Sequence, residues 1–566
     1  MPFCREATVR SPSAMAAKGA PTLTTHSASI FAAVAALAAL ATGAVFPTAV
    51  SAADMDDAAR NASVAGIEQA FSEHRYTVSD LASYYVMRIG RIDSNGPALH
   101  SVLEVNPEWK SLARDMDNEL NGGRPAKTKP LFGVPILLKD NVDTADRMQS
   151  TAGSLALLGS SPQRDAFLVR RLRAAGALIL GKANMSEWAG MRSFEQTGGW
   201  TGRGGQTRNP YDPARSPSGS SSGSGVAIAA DLAAVAIGTD TDGSIAGPAS
   251  VNGVVGIRPT VGLVSRSGVI PISSTRDTAG PLARTVADAA AVLTVIAGYD
   301  PDDPATARLK DQPPPDFRLA LKADSLKGAR IGVLRQYAGF NDAVDVLLDR
   351  AIATLRAHGA VVVDPVNIPS KEAFDSDFQK GKFDSDSEIV QETEFKEAIR
   401  SYLATRRGPG PKDLQGLIDF DNEHAAEEMP YFGQDVFISS QRRGPMTDKV
   451  YLDALERTRK IAGPDGIDAA LGKDHLDALI APTSGPAPLI DYIAGAGGSE
   501  GGGHFTELSA AAGYPRMSVP MGQVDGMPVG LEFVGTAWSD FKLIGLAYGY
   551  EQASHARRPP GQGVVQ

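Results

Sequence analysis

Residues 209–264 read NPYDPARSPSGSSSGSGVAIAADLAAVAIGTDTDGSIAGPASVNGVVGIRPTVGLV, and the fold turns on how this stretch is understood. Linkers are also rich in glycine and serine. Here, however, the Gly/Ser run 219–225 passes directly into an apolar, small-residue segment, 226–236, and then into a second tight turn at 238–244. Small residues let backbones approach closely, so the stretch reads as two serine-bearing loops packed around a buried segment. Working outward, residues 167–175 (FLVRRLRAA) are helix-like, Gly176 stops them, and 177–180 is a buried strand. Residues 329–334, 360–363 and 476–481 are strand-like and 344–358 helical. This alternation predicts an α/β chain whose sheet is covered by helices on both faces.

The 566 residues carry 55 Lys+Arg against 65 Asp+Glu, a net charge of -10, which excludes a basic nucleic-acid binder. With 43% apolar and 21% charged residues, whole-chain disorder is excluded as well. The single cysteine, Cys4, and eight histidines without an H-E-x-x-H spacing leave no basis for thiol or zinc chemistry. Near the N-terminus, Arg5, Arg10 and Lys18 precede the apolar run 30–46, which ends before the small residues 50–53. That pattern predicts an export signal over residues 1–53 and a periplasmic or secreted domain over 54–566. Removing residues 1–52 takes away three basic residues and one acid, moving the net charge from -10 to -12. The one long polar stretch, 371–428, reads as a mostly helical covering insertion that extends to about 445. Its alternatives, a solvated helical face and a substrate lid, stay open at this level. Residues 495–503 (GAGGSEGGG) read as a flexible loop.

Three short motifs mislead. Gly219 to Gly223 fits G-x-S-x-G with Ser221 at its centre, but that elbow must follow a strand, and 211–218 contains two prolines and no alternation. Residues 176–182 (GALILGK) imitate a phosphate loop, yet their middle is the apolar strand itself and Ala183 stands where Ser/Thr is required. Ser539-Asp540-Phe541-Lys542 matches S-x-x-K without its companion motifs.

The strong signal is long-range. GVPILLKDNVD at 133–143 is followed by RNPYDPARSPSGSSSGSG, GTDTDGSI, NGVVGIRPT, SRSGVIPIS and DTAGPLAR, and late in the chain by AAAGYPRMSVPMGQVDGMPVGLEFVGTAWSD and LAYGYEQAS. Together these resemble the amidase signature family of serine amide hydrolases over roughly residues 57–556. GGWTGRGGQTRNPYDP, TDTDGSI and MPYFGQDVF are most similar to the peptide amidase branch, which removes the C-terminal amide from peptides. The resemblance implies a single large α/β/α domain with a central mixed, twisted sheet and a signature core at about 130–290. It also implies a Ser, cis-Ser, Lys triad. Lys139 in LLKDN matches the family lysine, Ser244 in TDTDGSI the nucleophile, and Ser220, 24 residues before it, the bridging serine.

Those residue types suit the chemistry. A serine hydroxyl is a poor nucleophile until a base takes its proton, and no histidine lies near either serine in sequence. A lysine serves as that base only when neutral, which requires burial; the apolar run 135–138 before Lys139 supplies such surroundings. Lowering an ammonium pKa from about 10.4 to near 7 disfavours its charged form by roughly 4 to 5 kcal/mol. Backbone N–H groups of Thr241, Asp242, Gly243 and Ser244 are expected to receive the oxyanion. The family's commonest pattern has Gly where Asp242 stands and Arg where Ala246 stands, so Asp242 either accepts a hydrogen bond from the substrate carboxamide or only caps the turn. Asn141, Asp143, Thr239, Asp240, Arg258 and Asp277 are expected to support the site.

The expected reaction is hydrolysis of a carboxamide to ammonia and a carboxylate through a Ser244 acyl-enzyme, with no metal or organic cofactor. The substrate is a peptide or small-molecule amide, C-terminal peptide amides first. No nucleic acid, no lasting membrane association after signal cleavage, and a monomer or homodimer complete the expectation. The alternatives are a general aliphatic or aryl amide or ester hydrolase, one component of an ammonia-channelling amidotransferase, and a non-catalytic periplasmic solute-binding protein.

Overall fold

The computed structural model describes residues 52–122, 129–381, 383–492 and 505–561. The expected export signal lies outside these residues except for 52 and 53, which open the Ala52–Ala59 helix, and the glycine-rich stretch 495–503 also lies outside them.

Thirteen strands are described: β1 (Val102–Val105), β2 (Pro135–Lys139), β3 (Leu178–Ala183), β4 (Trp200–Thr201), β5 (Gly205–Gln206), β6 (Val235–Asp240), β7 (Val255–Arg258), β8 (Thr278–Ala283), β9 (Arg330–Val333), β10 (Val361–Val363), β11 (Ala478–Pro482), β12 (Arg516–Val524) and β13 (Met527–Val534). Eleven form one sheet in the order β1-β3-β2-β6-β8-β7-β12-β13-β11-β9-β10, while β4 and β5 make a separate ribbon. The sheet is mixed. β2 runs parallel to β3 and β6, and β9 parallel to β10 and β11, whereas the remaining pairs are antiparallel. Helices cover both faces, as the alternation predicts. Every residue of β2, β3 and β6 is buried, which is why these strands read as apolar runs rather than alternating ones.

The decisive stretch divides in a way its composition conceals. Residues 226–229 complete the Ser222–Ala229 helix, while 235 and 236 begin β6, so the apolar segment spans a helix end, a turn and a strand start. The glycines around it are contact points. A Cβ on Gly238 would lie 2.6 Å from Leu282 Cδ1 and 2.8 Å from Ser221 Oγ.

The polar insertion is a buried cover. Its Asp386–Leu403 helix starts at Ser385, whose side chain accepts the Glu388 N–H, and buries Phe395, Ile399 and Leu403 against Met185, Trp188 and Ile270 of the core. That packing decides against the solvated-face reading.

Gly223 gives a direct test of this packing. A Cβ there would meet backbone on three sides, 2.3 Å from Ser101 O, 2.5 Å from Asn184 N and 2.6 Å from Asn184 O. Gly223→Ala is expected to lower the free energy of unfolding by about 3 kcal/mol. Gly472→Ala, at an exposed helical position with nothing within 4 Å, is expected to raise it by about 0.5 to 1 kcal/mol. Urea midpoints of the two variants check both signs.

Candidate active site

Because β2 and β6 are parallel neighbours, their C-terminal ends bring Lys139 and Asp240 to the same edge of the sheet, where open α/β sheets place ligands. Lys139 is wholly buried. Its Nζ donates to Ser220 Oγ at 2.7 Å, Thr239 Oγ1 at 2.8 Å and Thr239 O at 3.2 Å, all neutral oxygens. Burial pushes the ammonium down to about 7, against the opposing pull of the Asp240 and Asp277 carboxylates.

The loop that carries Ser220 is held from several sides. The Gly219–Ser220 peptide is cis, and the Ser220 carbonyl accepts the Ser186 N–H at 3.0 Å. At position 219 a Cβ would lie 2.2 Å from Ser186 Oγ, so a larger residue there would displace the hydroxyl that accepts the Gly199 N–H. The neighbouring serines have other tasks. Ser221 N–H donates to the Ser244 carbonyl at 3.1 Å, its Oγ donates to Thr239 O at 3.0 Å, and Thr239 N–H returns a bond to that Oγ at 3.2 Å. Ser222 Oγ donates to Ser218 O at 2.7 Å, and Ser224 Oγ to Ile237 O at 3.1 Å. Ser221, the centre of the G-x-S-x-G match, is therefore enclosed and follows no strand, whereas Ser220 meets Lys139 and Ser244 is part-exposed.

The turn before Ser244 departs from one expectation. Gly243, at φ 102°, directs its N–H to Asp240 Oδ1 at 3.0 Å, and Ile245 N–H goes to Asp240 Oδ2 at 2.7 Å. Gly243 thus supplies backbone geometry rather than an oxyanion donor. The amides of Thr241, Asp242 and Ser244 have no hydrogen-bond partner among the described residues. The cap of this turn is Asp240, not Asp242, whose Oδ2 instead faces Gln391 Nε2 at 3.4 Å and Arg276 Nη1 at 3.5 Å.

The expected supporting residues do support. Asn141 Nδ2 donates to Thr239 Oγ1 at 2.9 Å, Arg258 Nη1 to Asp240 Oδ1 at 2.9 Å, and Thr241 Oγ1 to Asp277 Oδ1 at 2.6 Å. Asp277 Oδ2 accepts the N–H groups of Ile272 and Ser273, and Asp143 Oδ1 accepts from Tyr402 Oη at 2.8 Å. Several neighbours escaped the sequence reading: Arg276, Glu388, Gln391, Glu507, Arg516 and a second buried lysine, Lys182, whose Nζ donates to Ser150 Oγ at 2.7 Å. Arg276 immediately precedes DTAGPLAR and Arg516 stands inside AAAGYPRMSV, so their positions were visible though their partners were not. Among the described residues no group of three or more His, Cys, Asp or Glu is arranged to hold a metal ion.

Comparisons with known proteins identify the family. The family model described as Amidase matches residues 80–544. The peptide amidase of Stenotrophomonas maltophilia superposes with a TM-score of 0.81 at 47% identity, covering 88% of this chain and 98% of that one. The probable amidase of Arabidopsis thaliana is 39% identical over 504 residues, 88% of this chain and 91% of its own length. A glutamyl-tRNA(Gln) amidotransferase component from Geobacillus kaustophilus is 33% identical, covering 88% of this chain and 98% of that protein. Amide hydrolysis is the activity that the family and its amidase relatives support, and the chain belongs to the amidase family.

Proposed function

We propose that this amidase hydrolyses the C-terminal carboxamide of peptides, with Ser244 as nucleophile, Ser220 as proton relay and Lys139 as base. The observation that carries the reading is the buried Lys139 Nζ at 2.7 Å from Ser220 Oγ, on a loop whose next amide is bonded to the Ser244 carbonyl. Neutral Lys139 takes the Ser220 proton as Ser220 takes that of Ser244, and the Ser244 oxygen forms a bond to the amide carbon. Negative charge then moves to the carbonyl oxygen, facing the amides of Thr241, Asp242 and Ser244. Return of the proton through Ser220 to the nitrogen breaks the C–N bond and releases ammonia. Water, deprotonated along the same path, cleaves the Ser244 ester and regenerates the hydroxyl. The choice of peptide amides is supported by the 47% identity to a peptide amidase, against 33% to the amidotransferase component.

Ammonia release from an amidated peptide is expected to fall by at least about 10³-fold in both Ser244→Ala and Lys139→Ala. Full activity in Ser244→Ala would discard the triad, and preference for simple aliphatic amides would discard the peptide substrate alone.

The pH dependence follows from the lysine. Only its neutral form accepts a proton, so kcat/KM is expected to fall tenfold per unit below about pH 7. Between about pH 7 and its ordinary value of 10.5, the unfolded chain binds the Lys139 proton and the folded chain does not. Stability from this residue therefore rises with pH across that window, and Lys139→Met should reduce the slope in pH-dependent urea titrations.

We also place the reaction outside the cytoplasm. Mass measurement of the protein recovered from the periplasm or medium should give a chain starting near residue 54 and lacking Cys4; recovery only from the cytoplasm at full length would reject this.

A further inference from the structure

The wall beside Ser244 is acidic, and its acids come from separate elements. Asp242 lies in the turn after β6, Glu388 on the Asp386–Leu403 helix of the insertion, and Glu507 in the first turn of the Phe505–Ala512 helix; all three are part-exposed, as is Ser244. That last helix presses on the turn, because a Cβ on Gly243 would lie 3.3 Å from Thr506 Oγ1. Gln391 Nε2 reaches Asp242 Oδ2 at 3.4 Å, and Glu388, three residues earlier on the same helical face, is thereby set beside the same carboxylate.

The two arginines of the wall are partly engaged elsewhere. The groups that act on Asp242 are Glu507, Arg276, Arg516 and Asp240; those on Glu388 are Asp242, Glu392, Arg276 and Glu507. Arg516 is already engaged by Asp240 Oδ1 at 2.8 Å, and Arg276 donates its Nη1 to Ser387 Oγ at 2.9 Å, standing 3.5 Å from Asp242. The Glu388 carboxylate forms no hydrogen bond or ion pair with the described residues, and the buried Asp242 Oδ1 accepts none. Burial, followed by repulsion from Asp242, pushes the Glu388 carboxyl up to about 8, and burial with Glu507 raises Asp242. Part-exposed Glu388, unpaired among the described residues, is the carboxyl a substrate can reach, and a cationic donor carried by the substrate would draw its proton off and pair with it.

We propose that this wall selects amides whose acyl part carries an ammonium or guanidinium within a few bonds of the scissile carbonyl, with Glu388 as the specificity-determining residue beside Asp242. The inference rests on Ser244 being the nucleophile, which is what puts the wall next to the scissile bond.

The test measures ammonia release from two matched pairs, with wild-type enzyme and Glu388→Gln. N-acetyl-glycyl-lysinamide against N-acetyl-glycyl-norleucinamide exchanges a side-chain ammonium for a methyl group; norleucinamide against N-acetyl-norleucinamide removes the α-ammonium. Wild type is expected to favour the cationic member of one pair by about tenfold in kcat/KM, the size of one partly screened ion pair, and the pair that responds identifies the source of the charge. Glu388→Gln should bring that ratio to within about twofold of one. Equal rates within both wild-type pairs, or a preference that survives in a Glu388→Gln enzyme shown by circular dichroism to be folded, would overturn the proposal. Because the wild-type ratios require no variant, they decide the matter even if the variant does not fold. Hydrolysis of none of the four amides would overturn the reading of the protein as a hydrolase of C-terminal carboxamides, and this inference with it, whereas equal wild-type rates overturn this inference alone.

Discussion

One buried carboxylate ties the parts of the site together. Asp240, at the end of β6, accepts from Arg258 Nη1 at 2.9 Å, Arg516 Nη2 at 2.8 Å, Gly243 N–H at 3.0 Å and Ile245 N–H at 2.7 Å. Arg258 ends β7 and Arg516 begins β12, so this one side chain joins three strands to the turn that presents Ser244. Burial by itself would raise its pKa, but Arg516 and Arg258 outweigh that and hold it well below the usual carboxylate range. Both backbone bonds are strengthened by the charged acceptor. A neutral side chain would leave the buried Arg258 guanidinium without its carboxylate and Arg516 with Glu532 alone, 3.6 Å away, a loss on the order of 3 to 5 kcal/mol.

Around that fixed point the serines of the Gly/Ser loop divide their labour by geometry. Ser221, Ser222 and Ser224 give their hydroxyl protons to backbone carbonyls, which anchors the loop to β6 and to itself. Ser220 is left facing Lys139, in surroundings where no carboxylate hydrogen-bonds the lysine. A carboxylate in direct contact would have kept the ammonium charged; threonine and serine oxygens satisfy its donors without doing so. The lysine one strand away, Lys182, is buried in the same manner on Val142 O and Ser150 Oγ, and it steadies the segment just after Lys139.

The insertion is more than a roof. Glu428 accepts from Ser154 Oγ at 3.0 Å and Leu155 N–H at 2.6 Å, and Arg192 stacks 4.3 Å from the Phe432 ring centroid while pairing with Glu187 at 3.1 Å. Glu187 belongs to the segment whose Ser186 N–H holds the Ser220 carbonyl. The cover is thus linked to the Ser220 loop through a few buried polar contacts, while the same insertion contributes Glu388 and Gln391 beside Asp242.

Much of this was legible in the residues. The apolar runs at β3, β9, β10 and β11 announced a sheet covered by helices on both faces, and the motifs around Lys139, Ser220 and Ser244 carried the resemblance to the family and a candidate triad, because close backbone packing and buried strands leave local signatures. Sequence by itself determined which residue types were present and which local elements they favour. Only the tertiary structure decided that Ser220 rather than Ser221 meets the lysine, that the Gly243 amide belongs to Asp240, and that a charged helix about 140 residues downstream lines the site. Those outcomes depend on through-space distances between segments far apart in the chain, and neither propensity nor periodicity carries information about the partner a polar atom will find once the sheet has closed.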